Sequence, residues 1–352
     1  MEYTEGGIPE GILVIDNLYN KNRLSAVGMC PSVQLTGLHS RSEVLIDLTR
    51  AYDRGRADWA SVEAQLDKET AEIVELQERS GFDYVSDGSL AWQDPLRPIA
   101  RCLSGVEAGA RYSRWFDTNT FYQKPRITGK VSLDGFRVGD FLRKNLLANA
   151  DRWKVSIPGP YTFSELSENK YYRTKAELLL ELAKAEREIA AELFHAGVSL
   201  VQISEPCLVY QPYREHIAER SELDFAFDAV RYVAEGNPDR FLVHTFFGDV
   251  SAVFEELLAL PVKGVGIDLY ETELSRLHAE TSKDIALGIV DSRESHVENA
   301  HWIVETALQS RKHIKTPNTI LAPNSDLKFL PRRIADLKVA ALAKAASLLE
   351  AA

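Results

Sequence analysis

The 352-residue chain is poor in cysteine: it has only Cys30, Cys102 and Cys207, far apart and without a CxxC pair. That spacing argues against a disulfide framework and a zinc knuckle, and reads as the reduced thiols of a cytoplasmic protein. No apolar run approaches the roughly 20 residues that span a bilayer, so no membrane segment is expected. The opening MEYTEGGIPEG lacks a basic n-region and an apolar h-region and does not read as a signal peptide. Basic side chains are also in deficit, 41 Lys and Arg against 52 Asp and Glu, which leaves a net charge of −11. Nucleic-acid binding favours a basic face that displaces counterions, so that class is disfavoured and a small-molecule substrate favoured. No Pro-, Ser- or Gly-rich linker, low-complexity tract or heptad array divides the chain.

What is present is an alternation. Short, nearly continuous apolar runs rich in β-branched residues lie at 24–29, 82–87, 153–159, 199–204, 240–246, 263–269, 285–291 and 319–324. That character suits parallel strands covered on both faces. The intervals 59–79, 135–148, 174–197, 224–235, 250–259, 295–311 and 331–350 are predicted helical. The clearest is 174–197, with Leu, Ile and Ala at three- and four-residue spacing and Gly197 as a stop. Eight such strands alternating with helices predict an α/β fold, a single (β/α)8 TIM barrel over 24–352 behind an N-terminal extension, 1–23. A doubly wound open sheet is the competing architecture. The aromatic and polar interval 105–134 predicts a hairpin inserted over the barrel mouth.

The strands end in polar groups: Cys30, Asp87, the Pro158-Gly159-Pro160 turn, Ser204-Glu205, His244, Asp268, Asp291 and Asn324. A barrel builds its site from such ends. His244 titrates near neutrality and suits proton transfer if a carboxylate orients it. Asp268, one strand along, is the expected partner, and a purely structural His–Asp bond is the alternative. Glu205 is either a functional acid or the tie of a loop. Asp87, Asp291 and Asn324 either line a pocket or cap the following helices. Arg293 either meets a substrate carboxylate or forms a surface ion pair. Trp115, Asp117, Asn119, Phe121 and Tyr122 form a strip that either stacks on a flat ring or packs the hairpin. A metal surrounded by Cys30, Cys207, His244 and Asp268 would need strands from opposite sides of a barrel to meet, and is not expected.

The segments WFDTNTFYQKP (115–125), SIPGPYTFSELS (156–167), VQISEPCL (201–208), VHTFFGDVS (243–251), LPVKGVGIDL (260–269), GIVDSR (288–293) and APNSDLKFLP (322–331) resemble cobalamin-independent methionine synthase. The resemblance runs from about residue 24 to 350. That family moves a methyl group from methyl-tetrahydrofolate to homocysteine with two related barrels, the C-terminal one holding zinc. Zinc is held there by a His-x-Cys pair, a glutamate and a later cysteine. The resemblance matches His244 to that histidine and places Asp268 near the glutamate, but Phe246 and Ser325 stand where the two cysteines would be. With both thiolates gone zinc is not expected, because thiol-activating zinc takes sulfur and imidazole ligands. The segments look closer to the zinc-free N-terminal barrel and to single-barrel relatives. In the family's amino-acid pocket, Ser89 and Ser204 replace carboxylates, whereas Glu205 and Asp94 are retained.

Strand ends and resemblance together nominate His244, Glu205 and Asp268 as catalytic. They nominate Asp87, Asp94, Ser204, Asp291, Arg293, Asn324, Trp115 and Asn119 as substrate-binding. The expected function is methyl transfer from a folate-type or other donor to a thiol such as homocysteine, without zinc. One alternative is a non-catalytic partner of a separately encoded zinc-bearing barrel, with a homo-oligomer as the other possible assembly. Another is a zinc-independent lyase or decarboxylase of the uroporphyrinogen decarboxylase type, an inference from fold alone.

Overall fold

The computed structural model describes residues 31–146, 152–210 and 219–351, and in it most of the apolar runs lie side by side. In chain order the strands are β1 (Ser32–Val33), β2 (Leu103–Arg114), β3 (Phe121–Leu133), β4 (Lys154–Pro158), β5 (Glu168–Asn169), β6 (Leu200–Ser204), β7 (Phe241–His244), β8 (Gly264–Asp268), β9 (Ala279–Glu280), β10 (Asp284–Val290), β11 (Ile314–Lys315) and β12 (Thr319–Pro323). The helices are α1 (Glu43–Asp53), α2 (Trp59–Arg79), α3 (Arg97–Arg101), α4 (Val138–Phe141), α5 (Pro160–Glu165), α6 (Lys175–His195), α7 (Arg220–Ala234), α8 (Phe254–Leu258), α9 (Ala300–His313) and α10 (Arg332–Glu350).

Seven strands form one parallel sheet in the order β1-β12-β10-β8-β7-β6-β4. Side chains alternate across it. Phe241 packs edge-on against Phe194 of α6, 5.3 Å between centroids, whereas its neighbour Leu242 joins Leu200, Ala286 and Ile320 in a separate cluster with Tyr84. The sheet curls, since side chains on that second face reach distant strands: Gln202 of β6 donates to Thr36 O, beyond β1, at 2.6 Å. The result is an α/β fold with a curled parallel sheet and helices on its convex side.

Six of the eight predicted strands are found within a residue or two. The run 24–29, Cys30 and the extension 1–23 lie outside the described residues, and the first described strand is β1. The run 82–87 is not a regular strand. It makes one parallel bridge, Val85 to Trp153, and Asp83 N donates to Val33 O at 3.2 Å. Polar side chains take the rest of its ladder: Asp83 Oδ2 accepts from Val33 N, and Gln77 bonds both the N–H and C=O of Ser86.

Helix α2 has the predicted bounds, capped by Asp58, and α6 begins in a capping box of Thr174 and Glu177. The stretch 135–148 yields only α4 and a 3₁₀ turn at Lys144–Leu146, and 250–259 only a 3₁₀ turn and five residues of helix. Helix α9 starts five residues later than predicted because Asn299 caps it through His301 N. The interval 105–134 is the antiparallel hairpin β2–β3, and its tip folds over the C-terminal ends of the parallel strands. Among the described residues no helix is long and apolar enough to cross a membrane.

Candidate functional site

The C-terminal ends of β7, β8, β10 and β12 bring five of the nominated residues together. His244 ends β7 fully buried, and the strand opposite provides the space its ring occupies. It is in register with Gly266 of β8, where a Cβ would stand 1.8 Å from His244 Nδ1. Its Nε2 lies 2.9 Å from Asn324 O, and its Nδ1 has no partner among the described residues. Because a carbonyl can only accept, Nε2 carries the proton and Nδ1 is a bare acceptor. Burial drives the imidazole down to about 3, against the Asn324 carbonyl and with a smaller contribution from Lys154, so His244 is neutral at physiological pH.

Asp268 does not orient His244. Its Oδ2 accepts from Phe247 N at 3.0 Å and its Oδ1 from Tyr270 N at 3.0 Å, which ties it to its own loops. The connection runs through Asn324, whose Nδ2 donates to both Asp268 oxygens (3.2 and 3.3 Å) and to Asp291 Oδ1 (3.3 Å). Asn324 Oδ1 accepts from Ser292 N at 2.9 Å. Burial lifts Asp268 to about 6 against these donors. Asp291 Oδ1 also accepts from Arg293 N at 3.0 Å, and the Arg293 guanidinium turns outward to Glu271 and over the Phe247 ring.

The other nominees lie elsewhere. Glu205 is completely buried and held by the first turn of α5: Oε1 accepts from Tyr161 N (2.9 Å), and Oε2 from Thr162 N (2.8 Å) and Thr162 Oγ1 (2.6 Å). Gly159 makes this fit possible, since a Cβ there would stand 2.3 Å from Glu205 Oε1. Asp94 caps α3 through Leu96 N and Arg97 N and pairs with the Arg97 side chain at 3.1 Å. Asp87 accepts from Ser89 N and Arg143 N. Asn119 is exposed at the hairpin tip.

Ser204 and Trp115 line a small cavity at the strand ends together with Ser156, Phe246, Leu38 and Asp326. At about 20 Å³ it has room for about one water. An aromatic cluster reaches it through Phe246. Phe116 from the hairpin tip packs on Phe247 (5.5 Å) and Phe246 (6.3 Å), and both Phe116 and Phe247 hold left-handed backbone, φ 48° and 69°. Bulky residues rarely accept that conformation, and such strain clusters at functional sites.

A larger space adjoins this cavity across Leu38: a groove of about 620 Å³ between the start of α1, the start of α10 and the loop after residue 87. Arg41, Lys328, Arg332 and Arg333 line it beside Trp92. Arg332 is neutralised by Asp336, Glu69 and Glu72. Lys328 instead sits over the rings of Trp115 (5.5 Å) and Phe329 (5.6 Å), and Arg41 Nε donates to Leu90 O at 2.7 Å. Burial lowers Arg41 to about 10, so it stays charged at neutral pH. No acid among the described residues forms an ion pair with Arg41, Lys328 or Arg333. Sequence reading missed this group because its members come from three distant segments. The one available signal was cations just ahead of α1 and at the start of α10, where helix dipoles disfavour positive charge.

For a metal, His244 Nδ1 is the one idle donor atom among the residues matched to the zinc ligands. His244 Nε2 holds Asn324 O, Ser325 Oγ lies 2.5 Å from Ser292 Oγ, and Phe246 has no donor. Among the described residues, no three His, Cys, Asp or Glu side chains are grouped to hold a metal ion.

Comparison with known proteins gives a consistent pattern. A family model described as "Cobalamin-independent synthase, N-terminal domain" matches residues 80–315. "Methionine synthase" of Sulfolobus acidocaldarius is 24% identical over 311 residues, 88% of this chain and 89% of that protein. "Methionine synthase" of Saccharolobus solfataricus is 22% identical over 324 residues, 91% and 94% of the two chains. The solved structure of a B12-independent methionine synthase from Shewanella sp. W3-18-1, in complex with selenomethionine, superposes with a TM-score of 0.73. It is 18% identical, over 92% of this chain and 98% of that one. A putative B12-independent methionine synthase from Listeria monocytogenes gives 0.72 at 17% identity, over 91% and 98%.

Proposed function

Because the chain belongs to the cobalamin-independent synthase family, matched through its N-terminal-domain model, we propose that it serves methyl transfer to a thiol by holding a folate-type methyl donor. In this reading the fold is a full (β/α)8 barrel, with 82–87 as its second stave, supported by the Val85 bridge and the Asp83 bond to β1. The thiol acceptor is homocysteine, as the names of the relatives suggest.

The observation that carries the reading is the cationic groove. A folate-type donor is a flat ring with an anionic glutamate tail. The groove is lined by Trp92 beside Arg41, Lys328 and Arg333, none of them in an ion pair among the described residues although Asp326 and Asp94 act on Lys328 and Glu69 on Arg41, and it shares Leu38 with the strand-end cavity. Charge-assisted bonds to carboxylates supply recognition of that kind, with Trp92, itself packed on Phe141, as an apolar wall of the groove.

The same residues do not suit zinc. A metal that activates a thiol lowers its pKa through sulfur and imidazole ligands, and here a phenylalanine and an internally bonded serine occupy those places. The activated thiol is therefore supplied by a separate zinc-bearing barrel, and this chain contributes the donor.

The test is equilibrium binding, read by tryptophan fluorescence, of methyl-tetrahydrofolate carrying one or three glutamates. The triglutamate is expected to bind more tightly. Lys328→Met is expected to cost about tenfold or more of that affinity, since a hydrogen bond to a charged group contributes about 1.5–3 kcal/mol. Equal affinity for the two donors, insensitive to Lys328→Met, contradicts the reading.

A further inference from the structure

Below the rim, the inside of the curled sheet carries polar side chains for which donor binding has no use. Lys154 of β4, Gln202 of β6 and His244 of β7 stand on neighbouring strands, and Gln34 follows β1. Val33 and Leu35 pack into the main core, so alternation turns Gln34 and Thr36 to the inside. Lys154 Nζ donates to Leu35 O at 2.5 Å and Gln202 Nε2 to Thr36 O at 2.6 Å, which carries both side chains across the interior. None of the four is more than 2% exposed.

Their remaining hydrogen-bonding groups are unmet. Gln34 Oε1 and Nε2, Gln202 Oε1 and His244 Nδ1 have no partner among the described residues. Gln202 Nε2 is already committed to Thr36 O, Ser156 Oγ and Ser204 Oγ, which fixes its Oε1 as the idle acceptor. Lys154 keeps N–H groups to spare, and burial lowers its pKa with no charged neighbour offsetting the effect. An orphaned buried polar atom costs about 1–3 kcal/mol, so several in one place point to a guest.

Chemistry restricts what the guest can be. An anion would face the idle acceptors Gln34 Oε1, Gln202 Oε1 and His244 Nδ1, and a cation would face Lys154. A neutral molecule that both donates and accepts satisfies all of them, and a buried water typically makes about three such bonds.

We propose that the interior of the curled sheet is a binding site for ordered water, held between Lys154, Gln34, Gln202 and His244. This water accepts from Lys154 Nζ and donates to the idle acceptors Gln34 Oε1, Gln202 Oε1 and His244 Nδ1. Through Gln202 it abuts the Ser156 and Ser204 hydroxyls, 3.0 Å apart, that line the strand-end cavity. The rim thereby gains a hydrogen-bonded connection to a buried base.

A high-resolution crystal structure of the full chain tests this, with a second crystal soaked in bromide. The expected result is density within hydrogen-bond distance of Lys154 Nζ and of at least one idle acceptor, unchanged and without anomalous signal after the soak. In Lys154→Met the density next to residue 154 is expected to disappear. A dry interior in which Gln34 or Gln202 bonds Lys154 directly overturns the proposal, as does a bromide peak there. The unsubstituted protein alone decides between these outcomes if Lys154→Met does not fold.

Discussion

Glu205→Gln separates the structural reading of a strand-end carboxylate from the catalytic one. Burial raises Glu205 from 4.5 to about 7, against the Thr162 hydroxyl and the Tyr161 and Thr162 N–H groups that hold it down. A folded-state pKa above the unfolded one means that the group's contribution is complete below about 4.5 and lost as pH rises through about 7. At about 1.4 kcal/mol per unit, that shift corresponds to about 3 kcal/mol of stability lost between pH 4 and 8. The amide has nearly the shape of the protonated carboxyl and does not titrate. Urea unfolding of both proteins, followed by circular dichroism at pH 4, 6 and 8, cancels in the difference every titrating group that does not feel the Glu205 charge, which leaves Glu186 as the coupled neighbour. The variant is expected to be the weaker at pH 4, because its amide nitrogen can only donate and must face one of the Tyr161 and Thr162 donors, and to gain on the parent by about 3 kcal/mol between pH 4 and pH 8. Curves that stay parallel, within about 1 kcal/mol at all three pH values, refute the cradle as described.

Gly266→Ala places a methyl 1.8 Å from His244 Nδ1, and thermal denaturation is expected to register about 1–3 kcal/mol of overpacking. Adding His244→Ala is expected to recover much of that loss, whereas additive effects would mean the imidazole is not what fills the space. Lys338→Met leaves Glu298 buried beside Asp291 N without its partner at 2.9 Å, at an expected cost of about 3–5 kcal/mol in chemical unfolding.

The parallel strands were legible because apolar, β-branched runs covered on both faces leave a direct mark in sequence. The second run was misjudged because Asp83, Ser86 and Gln77 bond the backbone locally and replace a ladder that hydropathy alone implies. His244 was legible as a strand-end residue, but its partner was not. Asp268 is adjacent by strand order, yet its oxygens point to Phe247 N and Tyr270 N, and the imidazole reaches the Asn324 carbonyl two strands further on. Backbone acceptors leave no trace in residue types. Glu205 shows the opposite difficulty, because a carboxylate held by a helix start and a catalytic carboxylate look alike in sequence. The groove was invisible for a third reason: Arg41, Trp92 and Lys328 lie in distant segments that only the folded chain brings together.

The account rests most directly on where the reacting thiol is activated. Methyl transfer from methyl-tetrahydrofolate triglutamate to homocysteine should be measured for the purified chain alone, for a zinc-bearing barrel of the same family alone, and for their mixture. The account predicts no methionine from this chain alone and more from the mixture than from the zinc-bearing barrel by itself, with the excess lost in Lys328→Met. Sustained methionine formation by this chain alone would contradict it.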